Sequence, residues 1–263
     1  LIATLDQILA NTIDSLPDLR RSEADLRAAA DAAPATAAWG DAFAGEDVAV
    51  IGEVKRRSPS TGAIALELNP ALLAASYQAG GASAISVLTN EPFFGGTIGD
   101  LEAVQRAVEI PVLRKDFIID PVQLYEAKAS GASAVLLIVR ALDAVRLEEL
   151  YVLAAELKLG ALVEVHDEGE LEVAMRMTPA VVGVNSRDLE TFRVDVSAMQ
   201  NVLRLMPQEV VAVAESGMRN RADVELVSSW GADAVLIGTA LAQSVEPAET
   251  VRTLTGVKRH GRG

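Results

Sequence analysis

One pattern returns three times along the chain: GGASAISVLT at 80–89, SGASAVLLIV at 130–139 and WGADAVLIGT at 230–239. Each copy sets glycine, alanine, a small polar residue and alanine ahead of a β-branched or leucine-rich run. Gly80, Gly131 and Gly231 suit the left-handed residue that stops a helix. The apolar runs after them have the length of a strand buried on both faces. The helices announce their starts as well. Asn69-Pro70 and Asp120-Pro121 place an N-cap residue before a proline at the first helical position. Asp167 with Glu170 three residues on reads as a capping-box variant. A unit of capped helix, glycine stop and fully buried strand, used repeatedly, leaves few folds open.

Completing the remaining units predicts strands near 48–53, 84–88, 111–114, 134–139, 161–165, 181–184, 210–214 and 234–237. Amphipathic stretches lie between them. In 143–157, for instance, Leu147, Leu150, Tyr151, Ala154 and Leu157 share a face. Alternation of this kind predicts a TIM (β/α)8 barrel, residues 47–256, with an outer ring of helices. An open doubly wound sheet is the competing architecture, but IGEVKRRSPSTG after the first strand lacks the glycine fingerprint G-x-G-x-x-G. Residues 1–46 precede the repeats and read as a helical extension. Leu5, Ile8, Leu9, Thr12, Ile13 and Leu16 share one helical face. Pro17 is expected to break that helix and Ala24–Ala33 to resume it. Residues 257–263 are expected to fray.

Composition narrows the function classes. Half the residues are hydrophobic and the mean hydropathy is +0.26, ample for a core. No long uncharged apolar stretch indicates a membrane span, and no basic-then-apolar leader is visible. The chain has no cysteine and two histidines, which excludes thiol chemistry and disfavours a zinc or haem site. These features fit a cytoplasmic enzyme without a metal. A net charge of −14 opposes nucleic-acid binding, so an anionic substrate would need locally gathered positive charge. A monomer or weak homo-oligomer is expected.

In such barrels the chemistry sits at the C-terminal ends of the strands, and here those positions carry charge. The first strand ends in Glu53 and Lys55, which alternation puts on one face; alone, the two could equally form an edge-strand ion pair. The third ends in Lys115, Asp116 and Phe117, the fifth in Glu164 and His166, the sixth in Asn185 and Arg187. The seventh gives Glu215, Ser216 and Gly217, and the eighth Gly238 and Thr239. Backbone N–H groups at the last two turns can bind a phosphate without a cationic side chain, although these glycines could simply allow tight turns. Lys55, Lys115, Glu53 and Glu164 would converge on the barrel axis, where opposed charges shift one another's pKa and can act as acid and base. A structural ion-pair network is the alternative. His166 is as readily structural as functional, and Arg56 and Arg57 as readily solvated as phosphate-steering. Residues 56–68 form a loop longer than βα turns usually need, expected to be mobile when empty and to carry Ser58 inward on closure.

Together, IGEVKRRSPSTG, VLRKDFIID, LVEVHDEGEL, VGVNSRDLETF, VAESGM and VLIGTAL resemble the indole-3-glycerol-phosphate synthase family. The resemblance spans about residues 50–241, with the leading helices similar to that family's extension over the barrel mouth. It implies a carboxy-lyase of tryptophan biosynthesis needing no cofactor. Such an enzyme closes 1-(2-carboxyphenylamino)-1-deoxyribulose 5-phosphate to an indole with loss of carbon dioxide and water. Carried over by motif, Lys115 is the acid at the sugar carbonyl oxygen and Glu164 the base. Lys55 pairs with the substrate carboxylate or exchanges roles with Lys115, and Glu53 orients the lysines. Asn185 and Arg187 lie near the anthranilate moiety, and Phe117 and Leu136 touch its ring. Ser58, Glu215, Ser216, Gly217, Gly238 and Thr239 fall on substrate and phosphate positions, with threonine where serine is common at the last. At least two ionisations, one acid and one base, are expected to shape the rate.

Overall fold

Eight short apolar runs pair in chain order and close on themselves in the computed structural model. It describes residues 4–58, 62–64, 68–188 and 195–262, the side chain of Ser58 excepted. The strands are β1 (Ala49–Val54), β2 (Ala84–Leu88), β3 (Val112–Lys115), β4 (Ala134–Ile138), β5 (Gly160–Val165), β6 (Val181–Asn185), β7 (Val211–Glu215) and β8 (Ala234–Ile237). All neighbours are parallel, and β1 pairs with both β2 and β8, so the barrel has no open edge. This is the expected TIM barrel, with strand limits within a residue or so of the sequence pattern.

Alternation along each strand explains the interior. Ala49 and Ile51 of β1, Leu113 of β3, Leu162 of β5 and Val213 of β7 belong to one buried apolar cluster. Two residues further along those same inward rows stand Glu53, Lys115, Glu164 and Glu215. The lower barrel is therefore packed with aliphatic groups and the upper end with charge. The opposite rows, such as Val50 and Val54 or Val163 and Val165, pack under the surrounding helices.

The helix signals were mostly local and mostly obeyed. Asn69 caps α3 (Pro70–Ala79, third after the two N-terminal helices) by accepting from the Leu72 N–H. Asp120 and Gln123 form a full capping box. Asp167 accepts from the Glu170 N–H, but the Glu170 carboxylate reaches back to the His166 N–H at 2.8 Å. The left-handed residue of the first repeat is Gly81 (φ +98°), not Gly80. In the Gly-Gly doublet the second glycine lies beyond the cap, as Gly131 and Gly231 do. Gly80 is needed for room, because a Cβ there would fall 2.4 Å from the Ala248 carbonyl oxygen.

The extension consists of α1 (Leu5–Arg21) and α2 (Glu23–Ala32). Contrary to expectation, Pro17 lies inside α1 without ending it. The carbonyl it leaves without a donor belongs to Ile13, which is 55% exposed, so water can take the place of the missing N–H. The break comes at Ser22. Both helices rest against the helix Pro121–Ala129: Arg20 pairs with Asp120 at 2.5 Å, and Arg27 donates to the Tyr125 hydroxyl at 2.7 Å. Leu5 and Ile8 join the apolar cluster of Phe117 and Leu136 near the mouth. Further on, a 3-10 turn, Trp39–Phe43, stacks its two rings edge to face at 5.1 Å. Trp39 lies against Gly160, where a Cβ would come within 2.4 Å of it, and so stops the barrel's N-terminal end.

Residues 257–262 do not fray. The Val257 carbonyl accepts from the Val48 N–H at 2.7 Å, and Arg259 donates to the Asp47 and Phe43 carbonyls at 3.0 Å each. Arg262 is buried against Asp233 at 2.7 Å and against the carbonyls of Pro207 and Gly231. A guanidinium carries five donors, enough to collect carbonyls that no helix covers. The expected motion of the 56–68 loop falls partly on residues 59–61 and 65–67, outside the described residues. Arg57–Ser58 and Gly62–Ala63 pair as a short antiparallel hairpin.

Candidate active site

At the C-terminal end of the barrel the charged ends of the inward rows open into a cavity of about 690 Å³. Glu53, Lys55, Lys115, Phe117, Leu136, Glu164, Asn185, Arg187, Glu215, Ser216, Gly217, Gly238 and Thr239 all line it. Of the residues expected there, the side chain of Ser58 alone lies outside what is described.

Lys115 stands at the centre. Its Nζ is 3.1 Å from Oε2 of Glu164 and 3.4 Å from Oε2 of Glu215. Glu53 and Lys55 form a second pair at 2.5 Å. Burial disfavours charge on Lys115, but Glu164, Glu215 and Glu53 outweigh it and push its pKa above the usual lysine value. Burial likewise opposes ionisation of Glu164. Lys115 and His166, with a contribution from the Asn185 amide, reverse that and hold it below the usual carboxylate range. Glu53 is held low in the same way, burial being overcome by Lys55 and Lys115. Glu215 goes the other way. Burial dominates, the attraction of Lys115 does not overcome it, and neighbouring Glu164 and Glu53 add repulsion, so its pKa rises to about 8. Neither of its oxygens has a hydrogen-bond partner among the described residues. Three buried carboxylates thus divide into two ionised groups and one protonated near neutrality.

The apolar wall is built from Phe117, Leu136 and Phe94, the two rings stacked at 6.2 Å. Next to Glu215, Ser216 adopts φ +66° and Gly217 φ +90°. Left-handed geometry is uncommon for serine, and here it turns the backbone at the end of β7 beside Gly238 and Thr239.

Some neighbours were not legible as such. Asp116, grouped with Lys115 by sequence, is largely taken up by a buried network behind the strand. Arg114 donates to Asp116 at 3.2 Å, to Thr89 at 3.2 Å and to the Gln123 carbonyl at 2.8 Å, and pairs with Glu126 at 2.7 Å. Asp116 in turn accepts from the Phe117 N–H at 2.9 Å. Arg114 therefore sets the turn that carries Lys115 and Phe117. Alternation was the available signal: with Lys115 inward, Arg114 must point under the helices, where a charge needs partners. Arg56 and Arg57 are not simply solvated. Arg56 pairs with Asp100, and Arg57 donates to the Glu91 carbonyl at 2.7 Å.

The chain shares its barrel with solved structures of low sequence identity. Against 3-hexulose-6-phosphate synthase from Salmonella typhimurium the TM-score is 0.62 at 14% identity, over 79% of this chain and 96% of that one. That likeness carries the fold alone. Sequence relatives are nearer. An indole-3-glycerol phosphate synthase of Streptomyces griseus is 45% identical, with both chains covered in full. One of Rhodococcus jostii is 47% identical over 90% of this chain and 88% of its own. The family model described as indole-3-glycerol phosphate synthase matches residues 5–254. With the lysine–carboxylate cluster at the mouth of the barrel, these matches place the chain in the indole-3-glycerol phosphate synthase family.

Proposed function

We propose that this cavity closes 1-(2-carboxyphenylamino)-1-deoxyribulose 5-phosphate to indole-3-glycerol phosphate, releasing carbon dioxide and water. The observation that carries the reading is the position of Lys115 on the barrel axis, 3.1 Å from Glu164. In the empty site the two neutralise each other, which makes the lysine a weak acid and the glutamate a weak base. A substrate inserted between them separates the pair. Each then moves back toward the pKa that its burial favours, and both become better proton-transfer groups.

Lys115 donates to the sugar carbonyl oxygen as the ring carbon attacks, and the carbon–carbon bond forms. The carboxylate leaves as carbon dioxide, its bonding electrons restoring the aromatic ring. The former carbonyl oxygen, now a hydroxyl, takes a second proton from Lys115, which solvent has reprotonated, and departs as water, while Glu164 takes the proton lost as the indole double bond forms. Lys55 meets the substrate carboxylate and is steadied by Glu53. Asn185 and Arg187 hold the anthranilate end, Phe117 and Leu136 cover its ring, and Glu215 with Ser58 completes the substrate contacts. The phosphate is bound by backbone N–H groups of Ser216, Gly217, Gly238 and Thr239. No cofactor enters this scheme, because the protonated, ring-closed intermediate is itself the electron sink.

A phosphorylated small molecule is thus the expected partner, in a cytoplasmic monomer or weak homo-oligomer. The large exposed apolar residues among those described are scattered, which supports this state: Ile13, Leu72, Leu205 and Leu226 stand on four different helices, Val145 and Val152 share a fifth, and Val245 lies in a bend. No helix among the described residues is long and apolar enough to cross a membrane. The test is to supply the carboxyphenylamino-deoxyribulose phosphate and follow indole fluorescence. Signal from the parent and none from Lys115→Ala is expected; equal rates in the two sink the proposal.

A further inference from the structure

His166 stands between two carboxylates at the back of the cavity. Its Nδ1 is 3.1 Å from Oε2 of Glu170, and its Nε2 is 3.5 Å from Oε1 of Glu164. The residue is 9% exposed, and Nε2 has no hydrogen-bond partner among the described residues. The far side is braced. Oε1 of Glu170 accepts from Nε of Arg140 at 2.7 Å, and its Oε2 also accepts from the His166 N–H. Arg140 additionally faces Asp167 and Asp188, each at 3.7 Å. The imidazole is therefore clamped on one nitrogen and aimed with the other at Glu164. The two oxygens of Glu164 are divided between partners, Oε1 toward His166 and Oε2 toward Lys115.

We infer that His166 is a positioning residue for Glu164, fixing Oε1 so that Oε2 is the oxygen presented to Lys115 and the substrate. The inference rests on the role of Glu164 as base proposed above. The imidazole, anchored to Glu170 through Nδ1 and the His166 N–H, holds Nε2 3.5 Å from Oε1 of Glu164. That fixed neighbour limits the carboxylate's rotation. The charged groups around this pair are Lys115 from β3, Glu215 from β7 and Glu53 from β1 on the cavity side. Glu170, Asp167 and Arg140 stand on the other side. None of these except Lys115 and His166 touches Glu164 itself at ion-pair distance, so removing His166 leaves Oε1 without a charged partner and the carboxylate with Lys115 and the Asn185 amide.

Two substitutions separate positioning from packing. His166→Asn keeps an amide at the Nδ1 position, beside Glu170, and empties the Nε2 position. His166→Gln does the reverse. With His166→Asn, kcat is expected to fall about tenfold with KM within about twofold, and the acid limb of the pH–rate profile to move toward neutrality. With His166→Gln, most of kcat is retained. Thermal melts confirm that each variant is folded. Parental kcat and limb in His166→Asn overturn the inference, as does equal loss in both variants with the limb unmoved. Glu164→Gln, measured alongside, distinguishes the two levels. Activity there overturns the base role and this inference with it, whereas an inactive Glu164→Gln beside a parental His166→Asn overturns the inference alone.

Discussion

Oε1 of Glu53 occupies the space that a side chain at Gly238 would need: a Cβ built there falls 2.2 Å from that oxygen and 2.9 Å from Nζ of Lys55. The glycine at the end of β8 therefore makes room for the ion pair of β1 as well as standing at the proposed phosphate turn. Gly238→Ala should push the Glu53 carboxylate off Lys55. The expected result is a loss of activity together with about 1–3 kcal/mol of stability from overpacking. Activity assays and thermal melts check it, and an unchanged kcat/KM would show that the pair tolerates displacement.

Lys115 and Glu164 should fail in different ways. Lys115→Met removes the donor at the developing oxyanion and leaves two buried carboxylates facing each other, so kcat/KM should drop by at least about 10²-fold. Glu164→Gln keeps the shape and loses the base, so substrate binding should survive while turnover falls by a similar factor. Fluorescence titration beside steady-state kinetics separates binding from turnover.

The pH dependence should be simpler than the pattern of residues implied. Glu164 and Glu53 are held below, and Lys115 above, their ordinary ranges. Neither side of the Lys115–Glu164 pair then titrates near neutrality in the free enzyme. Glu215, at about 8, does. In kcat/KM a single inflection near that value is expected, and Glu215→Gln should abolish it. Stability follows the same group. Its folded pKa lies above its unfolded one, so the folded state binds the extra proton. The contribution is complete below about 4 and is lost as pH rises toward 8. Between those limits Glu215→Gln should gain on the parent by a few kcal/mol, on the order of the shift. Denaturant titrations at about pH 5 and pH 8 measure this, and equal differences at both would contradict it.

Arg114 should matter more to stability than to binding. Its side chain is 5% exposed and that of Asp116 8%, so Arg114→Ala takes the cation away from two carboxylates, Asp116 and Glu126. Asp116 is left with neutral donors, the Thr89 hydroxyl, the Asn90 amide and the Phe117 N–H, at a cost of about 3–5 kcal/mol. The surface pair Arg252–Glu249, with both side chains 56% exposed, should give about 0–1 kcal/mol when broken. Comparing the two variants by urea unfolding tests the contrast.

The barrel was legible because its signals are local and repeated. Proline-led caps, a glycine stop and an eight-fold alternation of strand and helix need no knowledge of distant contacts. The cavity was legible for the same reason: Glu53, Lys115, Glu164 and Glu215 are placed by alternation at strand ends. What sequence could not supply was partner choice across the fold. Nothing local says that Pro17 would be carried through a helix, that Arg262 would find the carbonyls beneath β7 and β8, or that Glu170 would turn from Asp167 to His166. The division of labour among three similar glutamates was equally hidden, since it depends on which of them Lys115 and Lys55 reach.

The closure of β1 on β8 has a consequence for the nascent chain. Ala49 pairs with Ala234, a partner that emerges from the ribosome roughly 10–40 s later at ordinary synthesis rates. For that interval one side of β1 presents unpaired N–H and C=O groups, on a strand whose side chains are apolar up to Glu53. The seam is then sewn underneath by residues 257–262, which come later still. Translation speed and chaperone access during that wait should therefore influence how much of this protein a cell recovers in active form.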